Sequence, residues 1–418
     1  MQVAAHGRLG LFRRATHFRL LFFATLGSGA GTYLAAVALT VDIFDRTGSG
    51  SWVSALLIAD FLPIIVIGIA LGPLVDRLSR RRVMIGSDLV RFAVFCALPF
   101  ADRPATIVAL AGVAGIATGF FRPAVYAGLP NLVDDADLPG ANSLLQSVEN
   151  LAWMIGPLVA GLLLAVSGPH LPYWINAVTF LVSASLVFRI PGSKLQTAVA
   201  KGGRGHWSDV RDGLSLVRRS RPLLTVLVVW NVVLVGNSAV NVAEVSLAKV
   251  SLAGGDFGFG LLVGATGLGL TLGSLAAGRA VERRGVRLTY SAGIALMAFG
   301  FGAAAVAPNV WVAALCAASG AAGNGAALVC NALLVQRGAP DELRGRAFTV
   351  IMSSNYILLG LGMVAAGPLT NAVGGRWMWG GAAAFYLAAA AVAASLARGL
   401  VATAPAPRAA PEGAAASN

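Results

Sequence analysis

The sequence predicts an all-α membrane protein in which twelve transmembrane helices form two pseudo-symmetric bundles of six. The chain of 418 residues is 57% hydrophobic and only 12% charged, and its mean hydropathy is +0.77. About half of an ordinary soluble domain is apolar, so this composition indicates a membrane protein. The other two observations are a series of long apolar runs and an internal repeat.

The apolar runs predict the spans. A spanning helix needs about 20 mostly apolar residues, and only helices or closed barrels satisfy the backbone inside a bilayer. The runs lack the alternation of barrel strands, so we predict helices. The predicted spans are 18–43, 53–74, 83–100, 105–126, 142–166, 171–190, 222–248, 257–280, 288–306, 310–335, 346–372 and 377–397.

The basic residues predict the orientation, because cytoplasmic loops are enriched in lysine and arginine. With the N-terminus inside, most of the 31 lysines and arginines fall on the cytoplasmic side. The opposite loops hold Arg46, Arg103, Lys249 and Arg376. We therefore predict a multi-pass protein of the cell (inner, cytoplasmic) membrane with both termini in the cytoplasm. The net charge of +13 lies in short clusters between apolar runs, which argues against nucleic-acid binding.

A long polar stretch divides the spans six and six. We predict an N-terminal six-helix bundle at 1–190, a cytoplasmic linker at 191–221, a C-terminal six-helix bundle at 222–402 and a disordered tail at 403–418. Within the linker, WSDVRDGLSLVRRS is compatible with an amphipathic helix on the inner membrane surface or with a solvated segment.

The two halves repeat their polar loops. GPLVDRLSRRRV after span 2 matches SLAAGRAVERRGV after span 8, and the acidic loops before spans 5 and 11 also match. Asn150 and Asn355 occupy corresponding places in those two spans. Paired six-helix halves are a plan of secondary transporters, whose substrate site lies between the halves near the midplane.

Acidic residues inside spans are costly and usually face a cavity or a partner. Asp60, Glu149 and Glu244 are the candidates for proton coupling, because burial disfavours the charged form of a carboxylic acid. The alternatives are a helix-packing hydrogen bond for Glu149 and interfacial solvation for Glu244. Asp42 and Asp45 lie near the outer mouth, where we expect them to be solvated.

Polar stripes on single helical faces predict the walls of a cavity in spans 5 and 7. The candidate substrate-cavity residues are Gln146, Asn150, Trp153, Trp230, Asn237, Asn241 and Asn355. In span 3, Asp88 and Arg91 are three residues apart and so share a face, which predicts a structural ion pair.

The loop after span 2 resembles the signature G-x-x-x-D-R-x-G-R-R of the major facilitator superfamily, and the resemblance covers nearly the whole chain. Serine stands at position 79, where glycine is usual. The resemblance implies that Asp76 faces the N-terminus of span 11, a favourable place for an anion, when the cytoplasmic side is closed. It also implies that Arg80 pairs with Asp134, Asp135 or Asp137. The predicted cytoplasmic latch comprises Gly72, Asp76, Arg77, Arg80, Arg81, Arg122 and Asp134.

Arg122 lies near the inner end of span 4, so it either joins this latch or extends to the membrane surface.

Span 5 resembles the antiporter signature G-x-x-x-G-P-x-x-G-G of the same superfamily. Gly156, Pro157 and Gly161 match, whereas Ala152 and Ala160 replace glycines. FRPAVYAGLPNLV and LRGRAF further resemble the branch with macrolide and siderophore exporters. The resemblance implies a secondary active transporter for proton-coupled efflux of amphipathic or lipophilic small molecules, such as antibiotics or secondary metabolites. A proton-coupled uptake symporter, or a siderophore or lysophospholipid transporter of the same fold, remains the alternative.

The sequence lacks signatures of other classes of protein. The three cysteines form no CxxC pair, and neither a catalytic arrangement nor a nucleotide-binding loop is present. We therefore expect no enzyme activity, no cofactor and no metal site. A channel is disfavoured because no ring of repeated charge is visible. The expected partners are a small-molecule substrate, protons and the lipid bilayer, and we expect a monomer.

Overall fold

The computed structural model describes residues 11, 12, 14–70, 78–134, 137–195, 214–339 and 341–396. The tail at 403–418, most of the linker at 191–221, and Gly72, Asp76 and Arg77 of the predicted latch lie outside these residues. Six long helices form the N-terminal half. They are α1 (Thr16–Thr47), α2 (Gly50–Ala70), α3 (Arg80–Ala97), α4 (Pro104–Gly128), α5 (Leu138–Ser167) and α6 (His170–Phe188).

The C-terminal half contains two pairs of consecutive helices that are joined by a single residue instead of a loop. Gly255–Ala305 is interrupted at Gly285, and Asp341–Leu396 is interrupted at Gly374. Both glycines have positive φ, 78° and 81°, a conformation that glycine adopts without strain and that reverses the chain in one residue. The helices are therefore α7 (Arg221–Ser246), α8 (255–284), α9 (286–305), α10 (Val310–Gly338), α11 (341–373) and α12 (375–396).

These helices confirm the predicted fold class. Nine helical segments in the described part of the chain are long and apolar enough to cross a bilayer. Two of them, Gly255–Ala305 and Ala347–Leu396, have 51 and 50 residues and each contains a break, so each supplies two spans. Helix α2 contributes the shorter apolar helix Gly50–Ile64. The total is twelve spans, as hydropathy predicted.

The predicted ion pair of α3 is present inside the N-terminal half. Arg91 Nη2 donates to Asp88 Oδ1 at 2.5 Å, and Ser183 Oγ of α6 donates to Asp88 Oδ2 at 2.7 Å. The Arg91 guanidinium also lies 4.4 Å and 4.3 Å from the ring centroids of Phe121 and Phe180. Asp88 and Arg91 are 0% and 3% exposed, so this pair joins α3, α4 and α6 within the bundle.

The two halves meet along two helix pairs, α5 with α8 and α2 with α11. We call the side that holds the N-terminus of α1, predicted to be cytoplasmic, the inner side, and the opposite side the outer side. At the outer ends, the Gly50 amide donates to Asn371 Oδ1 at 2.6 Å and Ser54 Oγ donates to the Met363 carbonyl at 2.5 Å. The contacts that the structure provides between the halves run from the outer ends to about the midplane, so this conformation is closed on the outer side.

The glycines of the span 5 signature lie at close helix contacts, one of them between the halves. Gly161 of α5 packs directly on Gly260 of α8, and Gly156 packs on Tyr33 of α1. A Cβ at position 260 would lie 2.6 Å from the carbonyl oxygen of Pro157. Gly161 and Gly260 thus allow α5 to lie backbone to backbone against α8, which side chains would prevent.

Candidate transport site

A charged cluster lies among the helices of the N-terminal half. Arg122 Nη2 of α4 donates to Glu149 Oε2 of α5 at 2.7 Å, and Tyr126 OH donates to Glu149 Oε1 at 3.2 Å. Tyr33 of α1 lies within electrostatic range of Arg122, Glu149 and Asp60. We call these five residues the N-terminal charged cluster. It brings two of the three predicted coupling acids, Asp60 and Glu149, to one place.

Helix α4 sets the direction of Arg122. Gly115 and Gly119 pack against the backbone of α2, Gly115 directly against the Asp60 carbonyl. Arg122 follows Gly115 by seven residues, so it lies on the same side of α4. Its side chain is 48% exposed, whereas that of Glu149 is 15% exposed. In this conformation Arg122 therefore pairs with Glu149 and remains accessible. The sequence alone had left open whether Arg122 joins the latch or extends to the membrane surface.

The two acids of the cluster differ in their partners. Glu149 accepts from a guanidinium and a phenol. Asp60 takes part in none of the ion pairs of the described residues and is half-buried on α2. A carboxylate without a partner inside a membrane protein is unfavourable, whereas a neutral carboxylic acid is tolerated. Asp60 is thus the acid for which gain and loss of a proton would matter most.

The polar stripe of α5 continues from the cluster. Gln146 Nε2 donates to Asn150 Oδ1 at 3.1 Å, and both side chains are exposed. Trp153, one turn further out, lies beside Gly267 of α8. The stripe therefore begins at the accessible inner part of α5 and ends where α5 meets the C-terminal half.

The stripe predicted on α7 has a different environment. Tyr386 OH of α12 donates to Asn237 Oδ1 at 2.7 Å, and Trp230 is 7% exposed. Glu244 is 8% exposed, and its Oε1 has no hydrogen-bond partner among the described residues. The expectation of interfacial solvation for Glu244 is therefore wrong. Asn237 is directed at α12, within its own half, and Asn241 is exposed.

The structure describes Arg80, Arg81 and Asp134 of the predicted cytoplasmic latch. Arg80 Nη1 donates to the Leu195 carbonyl at 3.0 Å, and Arg81 donates to the Phe188 carbonyl. Ser79, which stands where glycine is usual, has φ −64°, a conformation that serine adopts readily. Asp134 is exposed. The pairing of the latch with span 11 stays a prediction, because Asp76 lies outside the described residues.

A set of ion pairs at the outer mouth was not predicted. Lys249 Nζ, in the π-helical turn after α7, donates to Asp45 Oδ1 of α1 and to Asp256 Oδ1 of α8, the latter at 2.5 Å. We call Asp45, Lys249 and Asp256 the outer clamp. Lys249 and Asp256 belong to the C-terminal half and Asp45 to the N-terminal half, so the clamp joins the halves. Asp45 was expected to be merely solvated, and the clamp corrects that expectation.

Asp42, one turn before Asp45, is buried, contrary to the expectation that it is solvated. It is 5% exposed, accepts from Arg46 Nε at 2.7 Å and accepts from Tyr173 OH at 2.9 Å. The i, i+4 spacing of Asp42 and Arg46 was the signal in the sequence that could have revealed this pair.

Removing the clamp charge on the N-terminal half is expected to favour opening of the outer side. Asp45→Asn should increase labelling of Thr370→Cys by an external maleimide about two- to fivefold, as loss of an exposed ion pair costs about 0.2–1 kcal/mol. Thr370 is 4% exposed because it packs on Gly50 across the interface. The measurement uses a background that lacks the three native cysteines. Asp102→Asn, an exposed outer acid, is the control; equal labelling of both variants would contradict the prediction.

The arrangement of the helices defines the class of protein. Twelve spans in two halves of six, with a charged cluster among the helices of the N-terminal half, have the architecture of a transporter of the major facilitator fold. Residues 9–410 match the family described as transmembrane secretion effectors. The chain belongs to this family of the major facilitator superfamily, and it is therefore a multi-pass membrane transporter and not an enzyme.

Similar proteins include drug exporters. The chain is 30% identical to the multidrug efflux pump Tap of Mycolicibacterium fortuitum, over 85% of this chain and 89% of the pump. It is 25% identical to the macrolide efflux protein A of Streptococcus pyogenes, over 60% of this chain and 68% of that protein.

Solved structures support the fold. A peptide transporter superposes with a TM-score of 0.76 at 12% identity, covering 93% of this chain and 96% of the other. A bacterial homologue of the lysosomal transporter Spinster superposes with a TM-score of 0.70 at 13% identity, covering 92% and 97%. At these identities the likeness shows the fold alone.

Proposed function

We propose that this chain exports amphipathic or lipophilic small molecules, such as antibiotics or secondary metabolites, in exchange for protons. The relatives named as multidrug and macrolide efflux proteins support the direction and the class of substrate. The observation that carries the proposal is the N-terminal charged cluster, in which Arg122 pairs with Glu149 while Asp60, near the same tyrosine, has no ion-pair partner among the described residues.

The cluster supplies a site that changes charge. With Glu149 paired to Arg122, a proton on Asp60 leaves the cluster neutral, and its loss leaves one net negative charge. A cationic or polar substrate is then favoured in the deprotonated cluster, whereas protonation removes that attraction. Substrate and proton thereby compete for the same local charge, which is what exchange requires.

The driving force is sufficient. One proton that moves down the membrane potential releases about 2.3 kcal/mol per 100 mV, enough for a roughly 50-fold gradient of a neutral substrate. A monovalent cation exchanged for one proton moves no net charge, so its export is driven by the pH difference alone. The alternation needs two arrangements of the halves. The outer clamp and the α2–α11 contacts hold the outer side closed in the present one. In this proposal the cytoplasmic latch holds the inner side closed in the second arrangement of the halves.

We also propose that the halves correspond to 1–190 and 222–402, that the termini lie in the cytoplasm, and that the protein acts as a monomer. External labelling of Thr370→Cys tests the orientation, because the inverted topology would leave this site unreachable from outside. Size-exclusion with light scattering of the purified protein tests the monomer.

Proton exchange is tested in inverted membrane vesicles acidified by respiration. Addition of a lipophilic cationic drug should release protons, seen as recovery of a pH-sensitive dye, only when this protein is present. We expect Asp60→Asn to abolish this response. We expect Glu149→Gln to weaken it at least about tenfold, because removal of one preorganised charged group from a functional site usually lowers the rate by at least that factor. Glu282→Gln, an exposed acid at the inner end of α8, is the matched control.

Two results would contradict the proposal. If Asp60→Asn responds like the wild type, Asp60 does not carry the proton. If no drug releases protons but a solute accumulates on a gradient of opposite sign, the chain is an uptake carrier; siderophores and lysophospholipids belong in the same panel of solutes.

A further inference from the structure

We infer that four asparagines of the C-terminal half form a hydrogen-bond acceptor wall for the substrate, and that it selects molecules bearing N–H or O–H donors. We call this set the amide wall. Its members are Asn231, Asn324, Asn331 and Asn355. This inference rests on the proposed export function and specifies the chemistry of the substrate.

The first observation is that the amide wall has unused acceptors. In each of the four residues the side-chain oxygen Oδ1 is buried and has no hydrogen-bond partner among the described residues. Asn331 is 8% exposed and Asn355 is 4% exposed. Buried amide oxygens are nearly always paired in folded proteins, and an unpaired one is costly. Four unpaired acceptors of one chemical type in one half therefore call for an explanation.

The second observation is the direction of the α10 pair. Asn324 and Asn331 are seven residues apart and share one face of the helix. Leu315 of α10 is 74% exposed. Because the outer side of the molecule is closed, an exposed leucine at this level faces the lipid and marks the lipid-facing side of α10. Nine residues separate Leu315 from Asn324, which places the two on opposite sides of the helix at about 100° per residue. The two amides therefore point away from the lipid.

The contacts of the neighbouring glycines locate this face between two helices. Gly323 packs on Gly293 of α9 and Gly325 packs on Leu270 of α8. Asn324 lies between these two contacts on the helix surface. The face that carries Asn324 and Asn331 therefore lies between the contacts with α8 and α9 and away from the lipid.

The same reasoning applies to α7 and α11. Asn231 Nδ2 donates to Ser354 Oγ of α11 at 2.8 Å, which fixes the amide and leaves its oxygen available. Asn355 follows Ser354 directly. Val364, 59% exposed, lies nine residues from Asn355 and so on the opposite, lipid-facing side of α11. Asn355 therefore also points inward.

The depth of the amide wall matches the charged cluster. Asn231, Asn324 and Asn355 lie near the middle of their helices, as Asp60 and Glu149 do in theirs. The N-terminal side of the transporter is thus charged and the C-terminal side neutral and rich in acceptors. The ligand that fits both is an amphipathic molecule with an apolar body and amine or hydroxyl donors.

Two dyes with the same ring system and charge test this selection. Rhodamine 123 carries N–H donors, and tetramethylrhodamine methyl ester carries the same single positive charge with every N–H replaced by methyl. We expect purified protein in nanodiscs to bind rhodamine 123 at least about tenfold more tightly, because a site built to accept donors rejects an analogue without them. Binding is measured by fluorescence polarisation.

Variants assign the preference to the wall. Asn355→Leu and Asn331→Leu should each reduce the preference for rhodamine 123 several-fold and leave the affinity for the methylated dye unchanged. Asn355→Ser, which keeps an acceptor, should restore part of it, and it serves where the leucine variant fails to fold. Asn142→Leu is the control, because Asn142 is an exposed amide that bonds to its own helix at Leu138.

The outcomes separate this inference from the proposed function. Equal affinity of the wild type for both dyes, or an equal loss of both in Asn355→Leu, would overturn the amide wall. Proton release on dye binding is recorded in the same samples. Preference for rhodamine 123 without proton release would contradict proton exchange and support the wall; failure of both dyes to bind would contradict both.

Discussion

Arg91→Met is expected to lower the free energy of unfolding by about 3–5 kcal/mol, the usual cost of removing one partner of a buried ion pair. Asp88 is 0% exposed, and its remaining partner would be the hydroxyl of Ser183. The variant leaves an uncompensated acid between α3 and α6, inside a span where no water can solvate it. Methionine preserves much of the volume of the arginine stem, so packing contributes little. The measurement is thermal unfolding of the purified protein in detergent.

The double variant Asp88→Asn/Arg91→Met separates charge from packing. It removes both charges and is expected to recover most of the lost stability, since a buried pair can often be replaced by neutral residues at little cost. A single variant that loses less than about 1 kcal/mol, or a double variant no more stable than the single one, would show that the pair is not what stabilises this part of the bundle.

Gly260→Val is expected to reduce transport at least about tenfold by preventing closure of the outer side. A Cβ at this position would lie 2.6 Å from the Pro157 carbonyl oxygen and 2.7 Å from the Gly161 Cα. Both are backbone atoms that do not move aside, so α5 and α8 must separate. Overpacking of this kind costs about 1–3 kcal/mol, and here the cost falls on one of the two conformations. Dye efflux from cells gives the rate, and external labelling of Thr370→Cys reports the outer side.

The control for this variant lies on the same helix. A Cβ at Gly278 meets no atom within 4 Å, so Gly278→Val should leave transport within about twofold of the wild type. We expect labelling at position 370 to rise in Gly260→Val and to stay unchanged in Gly278→Val. Reduced transport without increased labelling would mean that the close contact of α5 and α8 serves another purpose than closing the outer side.

The two predictions address different parts of the molecule. Asp88 and Arg91 lie within one half, so their loss acts on the stability of that bundle. Gly260 lies between the halves, so its substitution acts on the balance between conformations. A transporter needs rigid halves and a movable interface, and the two predictions test one feature of each, a buried ion pair inside a half and a glycine contact between the halves.

Much of the fold was predictable because insertion into a bilayer depends on local properties. Each span is recognised by about 20 consecutive apolar residues, and the predicted limits of span 9, 288–306, differ little from those of α9 at 286–305. The pair Asp88–Arg91 was predictable for the same reason, since residues three apart on a helix are neighbours whatever the tertiary structure. The Gly-Pro signature of span 5 was recognised through its resemblance to the antiporter signature, and the sequence did not show which helix it contacts.

Other features were beyond the reach of the sequence. The partner of Arg122 is Glu149, 27 positions away on another helix. Lys249 contacts Asp45, 204 positions away, in the outer clamp. Glu244 and Asn237 fall on a polar stripe whose periodicity is plain, yet the rotation of α7 directs Asn237 at Tyr386 of α12. Of the four residues of the amide wall, only Asn355 was among the residues predicted for the cavity.

By itself, the sequence determined the number of spans, the charge asymmetry of the loops and the residue types that the membrane interior must accommodate. These follow from transfer free energies that add along the chain and need no knowledge of neighbours. Only the tertiary structure decided which helix each polar face meets and which charges pair. Those outcomes depend on the rotation of each helix about its axis and on distances between residues remote in the chain. Successive residues differ by about 100° around the helix axis, so a rotation of that size brings a different side chain against each neighbour.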